Sequence, residues 1–435
     1  MTGTWANWAG NQRASGMTVV HPRGPEEIAR VVRRAAEEGR RVKVAGSGHS
    51  FTGIAVPVDV LVVLDRHAGV VALDRRTGLV TVEAGMTLGR LSAVLAEAGL
   101  SLTNLGDIDA QTVAGAMATG THGTGERYGG LATQVRGLQM VLADGSVLDC
   151  EAEVLRAARV SLGALGVVST VTLQAEPLFP MRAEEGPMGL SELLDRFDEL
   201  AGSVDHFEAY WFPHTQRALV KRNTRLPPDA ALDRLPRWRE WVDDELLANT
   251  VFGWVQALGR RFPSTVRPLA QVSARGLAPR TFTDWSHRVF TSPRRVRFKE
   301  MEYALAREGF VPVLRELVEA IGRSDLRISF PVELRVAPAD DIPLSTASGR
   351  DSAYVAVHVD HATPHRDYFD LVESVLAGAG GRPHWGKLHS LDAESLRPRY
   401  DGFDGFVALR DRLDPCGRFT NPYLDRVLGP PGSAA

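Results

Sequence analysis

From Pro22 to Arg41 apolar residues recur at helical spacing, at Ile28, Val31, Val32 and Ala35, with Pro25 near the start and Gly39 at the end. That pattern predicts a helix. It feeds a short apolar strand at 41–45, the loop GSGHSFTG, and two more strands at 61–66 and 78–85. A second helix is predicted over 87–98. It leads into the Gly- and Thr-rich run TNLGDIDAQTVAGAMATGTHGTGERYGG, after which strands near 135–150 and 167–174 bracket SLGALG. Residues 1–176 therefore read as one α+β domain. After Pro177 the pattern changes to charged helices and the proline-bearing stretch RLPPDAALDRLPRW, with Trp238, Trp241, Trp254 and Trp285 read as core aromatics. Short β-branched strands are predicted at 328–337 and 353–359, giving a second domain over 177–390. Residues 391–435 read as a polar helical segment that returns to the first domain.

Composition narrows the class. The chain has 435 residues, 44% hydrophobic and 24% charged, enough to bury a large core in two or three domains. A net charge of -3 gives no overall field that would argue for nucleic acid or an anionic membrane as partner, so a small neutral or weakly charged ligand is expected. Cys150 and Cys416 are too few and too far apart for a disulfide framework or a site of closely spaced metal ligands, and no metal is expected. The start MTGTWANWAGNQ carries no export or transit pattern, which makes the cytoplasm the default location. No apolar run approaches the roughly 20 residues that would span a bilayer.

Glycine after a strand lets backbone N–H groups approach an anion where no side chain intervenes. GSGHSFTG lacks the G-x-G-x-x-G spacing and no helix follows it at once, so a Rossmann site is disfavoured, and a plain tight turn stays open for this loop taken alone. Two further loops, GTHGTG at 120–125 and SLGALG at 161–166, suit a long dinucleotide. The run RVKVAGSGHSF, then NLGDIDAQTVAGAMATGTHGTG, SLGALGVVSTVTL and RPHWGK, resembles in order and spacing the aldonolactone oxidoreductases of the vanillyl-alcohol-oxidase flavoprotein superfamily. Bacterial alditol oxidases are next in likeness. The resemblance implies a PCMH-type FAD-binding domain and an α+β cap domain with an antiparallel sheet. It also implies FAD joined through His49 to the C8 methyl of the flavin. The cofactor contacts would fall on Ala45, Gly46, Ser47, Gly48, Ser50, Gly106, Asp107, Thr112, Gly115, Thr119, His122, Gly123 and Val167.

The cap would supply PVELR at 331–335, YVAVHVD at 354–360 and HWGK at 384–387. Residues two apart on a strand face one way, so Glu333 and Arg335 set a carboxylate beside a guanidinium. Alone, that pair reads equally as a structural ion pair, His358 as a sheet histidine and Lys387 as a solvent lysine. With the flavin loops they suit alcohol oxidation, which needs a fixed hydride donor and charge stabilisation on substrate oxygens. The resemblance implies Arg335 on the lactone carbonyl, Glu333 on a substrate hydroxyl, Lys387 near the flavin pyrimidine and His358 hydrogen-bonding the reacting hydroxyl or taking its proton. Asp107 and Asp360 replace hydroxyl residues of alditol oxidases, which points to a lactone of the L-gulono-1,4-lactone type oxidised at C2, with xylitol or sorbitol as the alternative. The acceptor would be O2 or a cytochrome- or quinone-type carrier, with Gly106 beside the flavin edge where oxygen arrives.

Overall fold

The computed structural model describes residues 2–432. The first predicted helix spans Pro25–Glu37 and buries Ile28, Ala29, Val32 and Ala35. Pro25 sits in its first turn, where a missing N–H costs no helical bond, and Gly39 beyond its end adopts a φ of +66°. The strand expected at 41–45 is Val42–Val44, paired in parallel with Val60–Val62. Arg13–Val20 flanks the other side of Val60–Val62 and pairs antiparallel with Thr2–Ala6, so the amino terminus completes a four-stranded sheet that the pattern did not announce.

A five-stranded antiparallel sheet follows, with Leu79–Glu83, Val167–Gln174 and Val135–Val141 at its centre. The strands expected near 135–150 are the hairpin Val135–Val141 and Val147–Asp149, whose turn is held by the Ser146 amide donating to the Asp144 carboxylate at 2.8 Å. Both sheets and the helices Leu88–Glu97 and Ala152–Ala158 close over one apolar core. Ile342, Leu344 and Trp385 join it, with side chains from the late helices Phe403–Leu413 and Pro422–Leu428.

A second core lies under an eight-stranded antiparallel sheet. Its strands run in the order Arg280–Trp285, Pro180–Gly189, Arg217–Arg225, His206–Trp211, Val332–Ala337, Ser352–Asp360, Phe298–Ala306 and Arg382–Pro383. Because strand side chains alternate, each strand offers one row to each face. Phe207, Ala209, Trp211, Val220, Tyr303, Val332, Leu334, Val355 and Val357 form the apolar row, packed with residues of the helices Phe310–Arg323 and Arg366–Gly378. The opposite row is polar and yet buried or nearly so: Glu208, Tyr210, Lys221, Glu300, Glu302, Glu333, Arg335 and His358. A buried charged row is costly unless paired, so this face is where chemistry is to be sought.

Three of the four tryptophans read as core aromatics do not form one, and the fourth, Trp285, is half-buried. Trp238, Trp241 and Trp254 are 69%, 57% and 70% exposed. They lie on a helical rod that starts at Arg237 and passes through Trp241–Val251 into Phe252–Arg261. No helix among the described residues is long and apolar enough to cross a membrane.

Candidate active site

Two surfaces meet at the site. One is built from the glycine loops of the first domain. The amide N–H groups of Gly46, Ser47, Gly48, His49 and Ser50 find no protein acceptor among the described residues. Five consecutive unpartnered amides on an open Gly and Ser loop suit a phosphate-bearing ligand, because each must otherwise be satisfied by solvent. Gly48 adopts a φ of +72°, and a Cβ at Gly46 would stand 2.2 Å from the Thr112 hydroxyl. This close approach brings the loop onto the start of the short helix Val113–Ala118, where Thr112 accepts from the Gly115 amide at 3.3 Å. The donor set fits an FAD pyrophosphate.

His49 stacks on Trp8, with ring centroids 5.4 Å apart. Burial and the Lys387 ammonium push its imidazole down to about 4, so it is the neutral, nucleophilic form near pH 7. Lys387 is carried to it by a backbone tie, the Phe51 amide donating to the Gly386 carbonyl at 2.7 Å. The Thr52 hydroxyl donates to the Trp385 carbonyl at 2.9 Å beside it. Loop and HWGK segment are thereby joined across more than three hundred residues of chain, a separation shown by the Thr52–Trp385 bond.

The second surface is the polar face of the large sheet. Register sets its pairs: Tyr210 lies opposite Glu333, Glu208 opposite Lys221, and Glu300 opposite His358. The Arg335 guanidinium donates from Nε to Glu208 at 2.6 Å and also pairs with Glu333, while Nη1 reaches the His122 carbonyl at 3.4 Å. Burial and the Glu208 charge push Glu333 well above the usual carboxylate range, against the pull of Arg335. Burial also opposes ionisation of Glu208, but Arg335 and Lys221 outweigh it and hold Glu208 low. The triad thus keeps one carboxylate ionised and one inclined to hold its proton, as two carboxylates sharing one cation in a dry site must. His358 lies 3.5 Å from Glu300 and 4.0 Å from Glu333. Burial likewise opposes the Glu300 charge, yet Lys387 and His358 bring it down to about 2. Glu300, Glu333 and His358 are close enough to hold a cation, but the Lys387 ammonium already occupies that role on Glu300.

On the Glu208 and Arg335 side of the sheet face is a cavity of about 440 Å3 whose lining includes Asp107, Gly123, Glu208, Lys221, Arg280 and Arg335, and which Glu300, Glu333, His358, Lys387 and the 46–50 loop do not line. Asp107, expected among the cofactor contacts, turns its carboxylate to Arg294 at 2.6 Å and Ser292 at 2.5 Å and lines this cavity. Asp360, expected to discriminate lactones, is engaged by Arg260 at 2.6 Å and is absent from that lining. Its register position beyond His358 sends it to the sheet's outer end.

The remaining expected contacts divide by what they can still offer. The His122 ring is spent inside the protein, paired with Glu302 and stacked on Tyr354 at 3.9 Å, which leaves only its backbone for a ligand. The Val167 side chain is wholly buried in the first core, and the Thr119 hydroxyl donates to the Gly115 carbonyl at 3.2 Å. Ala45 is buried, whereas Gly46, Ser47 and Gly115 lie open. A Cβ at Gly123 would strike the Asn104 amide oxygen at 2.2 Å, so that glycine serves loop packing.

Several site residues were not singled out from sequence. Glu208, Lys221 and Glu300 carry the charge balance, and the sign that could have exposed them is a charged residue in an otherwise apolar strand, as in HFEAYW and FKEMEYALA. Lys43 is another. Its ammonium donates to the carbonyls of Gly163 at 3.2 Å and Phe419 at 3.0 Å, tying the SLGALG loop to the carboxyl-terminal segment.

The family described as FAD binding domain matches residues 17–151, and that described as D-arabinono-1,4-lactone oxidase matches residues 171–427. The chain is 42% identical over 431 residues to the L-gulono-1,4-lactone dehydrogenase of Mycobacterium tuberculosis, covering 99% of this chain and 100% of that one. It is 33% identical to the L-gulonolactone oxidase of Bos taurus, covering 97% of each. The crystal structure of cholesterol oxidase from B. sterolicum superposes with a TM-score of 0.82 over 99% of this chain and 97% of its own, at 19% identity, which speaks for the PCMH-type α+β fold alone. Matched end to end by such relatives, this chain belongs to the aldonolactone oxidoreductase family of PCMH-type flavoproteins.

Proposed function

We propose that the chain oxidises a sugar lactone of the L-gulono-1,4-lactone type at C2, with FAD linked covalently through His49. When bound, FAD supplies the hydride acceptor and passes the electrons on. The observation that carries this reading is the junction of Arg335, Glu333 and His358 with the HWGK segment, itself tied to the His49 loop. The amides of 46–50 would hold the pyrophosphate, and the neutral imidazole of His49 would carry the covalent link. Arg335 fixes the lactone carbonyl. Glu333, inclined to hold its proton, hydrogen-bonds a neighbouring hydroxyl, and His358 takes the proton of the C2 hydroxyl with Glu300 behind it. Lys387, held by Glu300, would set a positive charge beside the flavin that favours its anionic reduced form. Loss of hydride from C2 and of the hydroxyl proton leaves a 2-keto lactone, which enolises to an ascorbate-type product. The cysteines are unpaired, which supports a cytoplasmic setting.

A panel of lactones and alditols, read by bleaching of the bound flavin, tests the substrate. L-Gulono-1,4-lactone is expected to be used more efficiently than xylitol or sorbitol; an alditol that outruns every lactone reverses the assignment.

Oxygen is the acceptor we favour, through Gly106. That glycine is not among those with positive φ; it is needed because a Cβ would stand 3.1 Å from the Thr121 methyl and 3.2 Å from the His122 carbonyl. Gly106→Ala combined with Thr121→Ser, which relieves the methyl contact, is expected to slow reoxidation by O2 roughly tenfold while sparing reduction by lactone. If the reduced wild-type enzyme stays bleached for minutes in air-saturated buffer, the acceptor is a cytochrome- or quinone-type carrier instead.

A further inference from the structure

The charge pairing that begins beside His358 runs on well past Arg335. Arg335 pairs with Glu333 on one side and with Glu208 on the other. Lys221 lies 3.7 Å from Glu208 and 3.9 Å from Glu185, and Glu185 accepts from Arg280 at 2.8 Å. Register sets Lys221 opposite Glu208, Glu185 opposite Lys221 and Arg280 opposite Glu185, so the row crosses the sheet strand by strand to its edge. Four strand steps separate Arg280 from the strand of Glu333. At about 4.8 Å a step the row extends roughly 19 Å, beyond the reach of a single lactone ring and its side chain. Buried ion pairs rarely stabilise a fold more than apolar residues would, and these are not sealed. Glu185, Lys221 and Arg280 line the 440 Å3 cavity, together with Phe282 and Phe290. Cationic and carboxylate side chains stand in that lining in equal number, which favours a neutral ligand over an ionic one. Asn223, two residues from Lys221 on the same side of its strand, lines the cavity too, and its side-chain amide has no partner among the described residues. Planar polar groups with spare donors and acceptors exchange hydrogen bonds with hydroxyls, and an aromatic ring takes the apolar face of a sugar.

Resting on the lactone oxidation proposed above, we infer that this cavity is a subsite for a glycosyl group, and that the substrate is an aldonolactone carrying a neutral sugar residue on its side chain. A 1,4-lactone with its C2 hydroxyl at His358 holds C4, and the side chain on C4, at the ring edge opposite C2. With the carbonyl on Arg335, that edge turns away from His358 toward the cavity that Arg335 and Glu208 line. The glycosyl group then meets Asn223, Glu185 and Arg280 with its hydroxyls and Phe282 with its ring face. The reacting carbon stays at Glu333 and His358, outside the lining. A lactone without the sugar residue still binds, through the Arg335 end alone.

The flavin-loaded enzyme is to be mixed anaerobically with L-gulono-1,4-lactone and with its 6-O-β-D-glucosyl derivative, and the rate of flavin bleaching followed against lactone concentration. The glucosylated lactone is expected to half-saturate the enzyme at about tenfold lower concentration, with a limiting rate close to that of the parent lactone. Asn223→Ala and Phe282→Ala are each expected to erase most of that advantage while the parent lactone's kinetics and the flavin content stay unchanged. The Asn223 amide has no internal partner to lose, so its variant keeps the fold even where removal of the Phe282 ring disturbs it. A glucosylated lactone that shows no advantage over a parent that does bleach the flavin, or that keeps its advantage in both variants, overturns the subsite and leaves lactone oxidation standing. Flavin that neither lactone bleaches removes the lactone reading, and the subsite with it.

Discussion

Arg335→Leu is expected to slow reduction of the flavin by L-gulono-1,4-lactone at least about a hundredfold while leaving the flavin bound, because a charged donor lost from a dry site costs about 3 kcal/mol of barrier. The guanidinium is shared by Glu208 and Glu333, so its removal also leaves two carboxylates facing each other without a cation between them. Glu333→Gln is the informative contrast. If Glu333 acts with its proton on, glutamine offers a similar neutral donor and retains most of the rate, whereas Glu333→Ala falls with Arg335→Leu. Anaerobic stopped-flow mixing reads all three. Variants of Arg335 that bleach at the wild-type rate would return the pair to a structural role.

His49→Ala is expected to remove covalent flavin entirely. Wild-type protein should keep its yellow colour through acid precipitation and denaturing electrophoresis, and the variant should release it. The fold should survive, because the half-buried His49 ring packs on Trp8 and makes no hydrogen bond among the described residues. Its reduction potential should also fall, since attachment at the C8 position raises that of the ring, and the lactone should reduce it more slowly. Complete loss of colour from denatured wild-type enzyme would refute the linkage and leave only non-covalent binding, which the unpartnered amides of 46–50 would still support.

Much of this was legible before any coordinates. Helical spacing at Ile28, Val31, Val32 and Ala35 marked the first helix to within a few residues at each end. The apolar run 167–174 is a strand with those bounds, and the two-residue period set Glu333 beside Arg335. Local periodicity is reliable there because the face a side chain takes follows from its own strand or helix. The same reasoning failed at Trp238, Trp241 and Trp254, where aromatic content was read as core. Composition cannot say which aromatic side chains the fold turns inward.

The sequence by itself determined an α+β chain with glycine loops apt for a dinucleotide, and a carboxylate and guanidinium that share one side of a strand. Only the tertiary structure decided what that pair faces. Cross-strand register put Glu208 opposite Lys221 and Glu300 opposite His358, and the Phe51–Gly386 bond brought Lys387 to His49. Register moved Asp360 off to Arg260. Neither follows from local pattern, because which strands become neighbours, and in what alignment, is settled by burial of whole faces and closure of long loops rather than by any segment's own period.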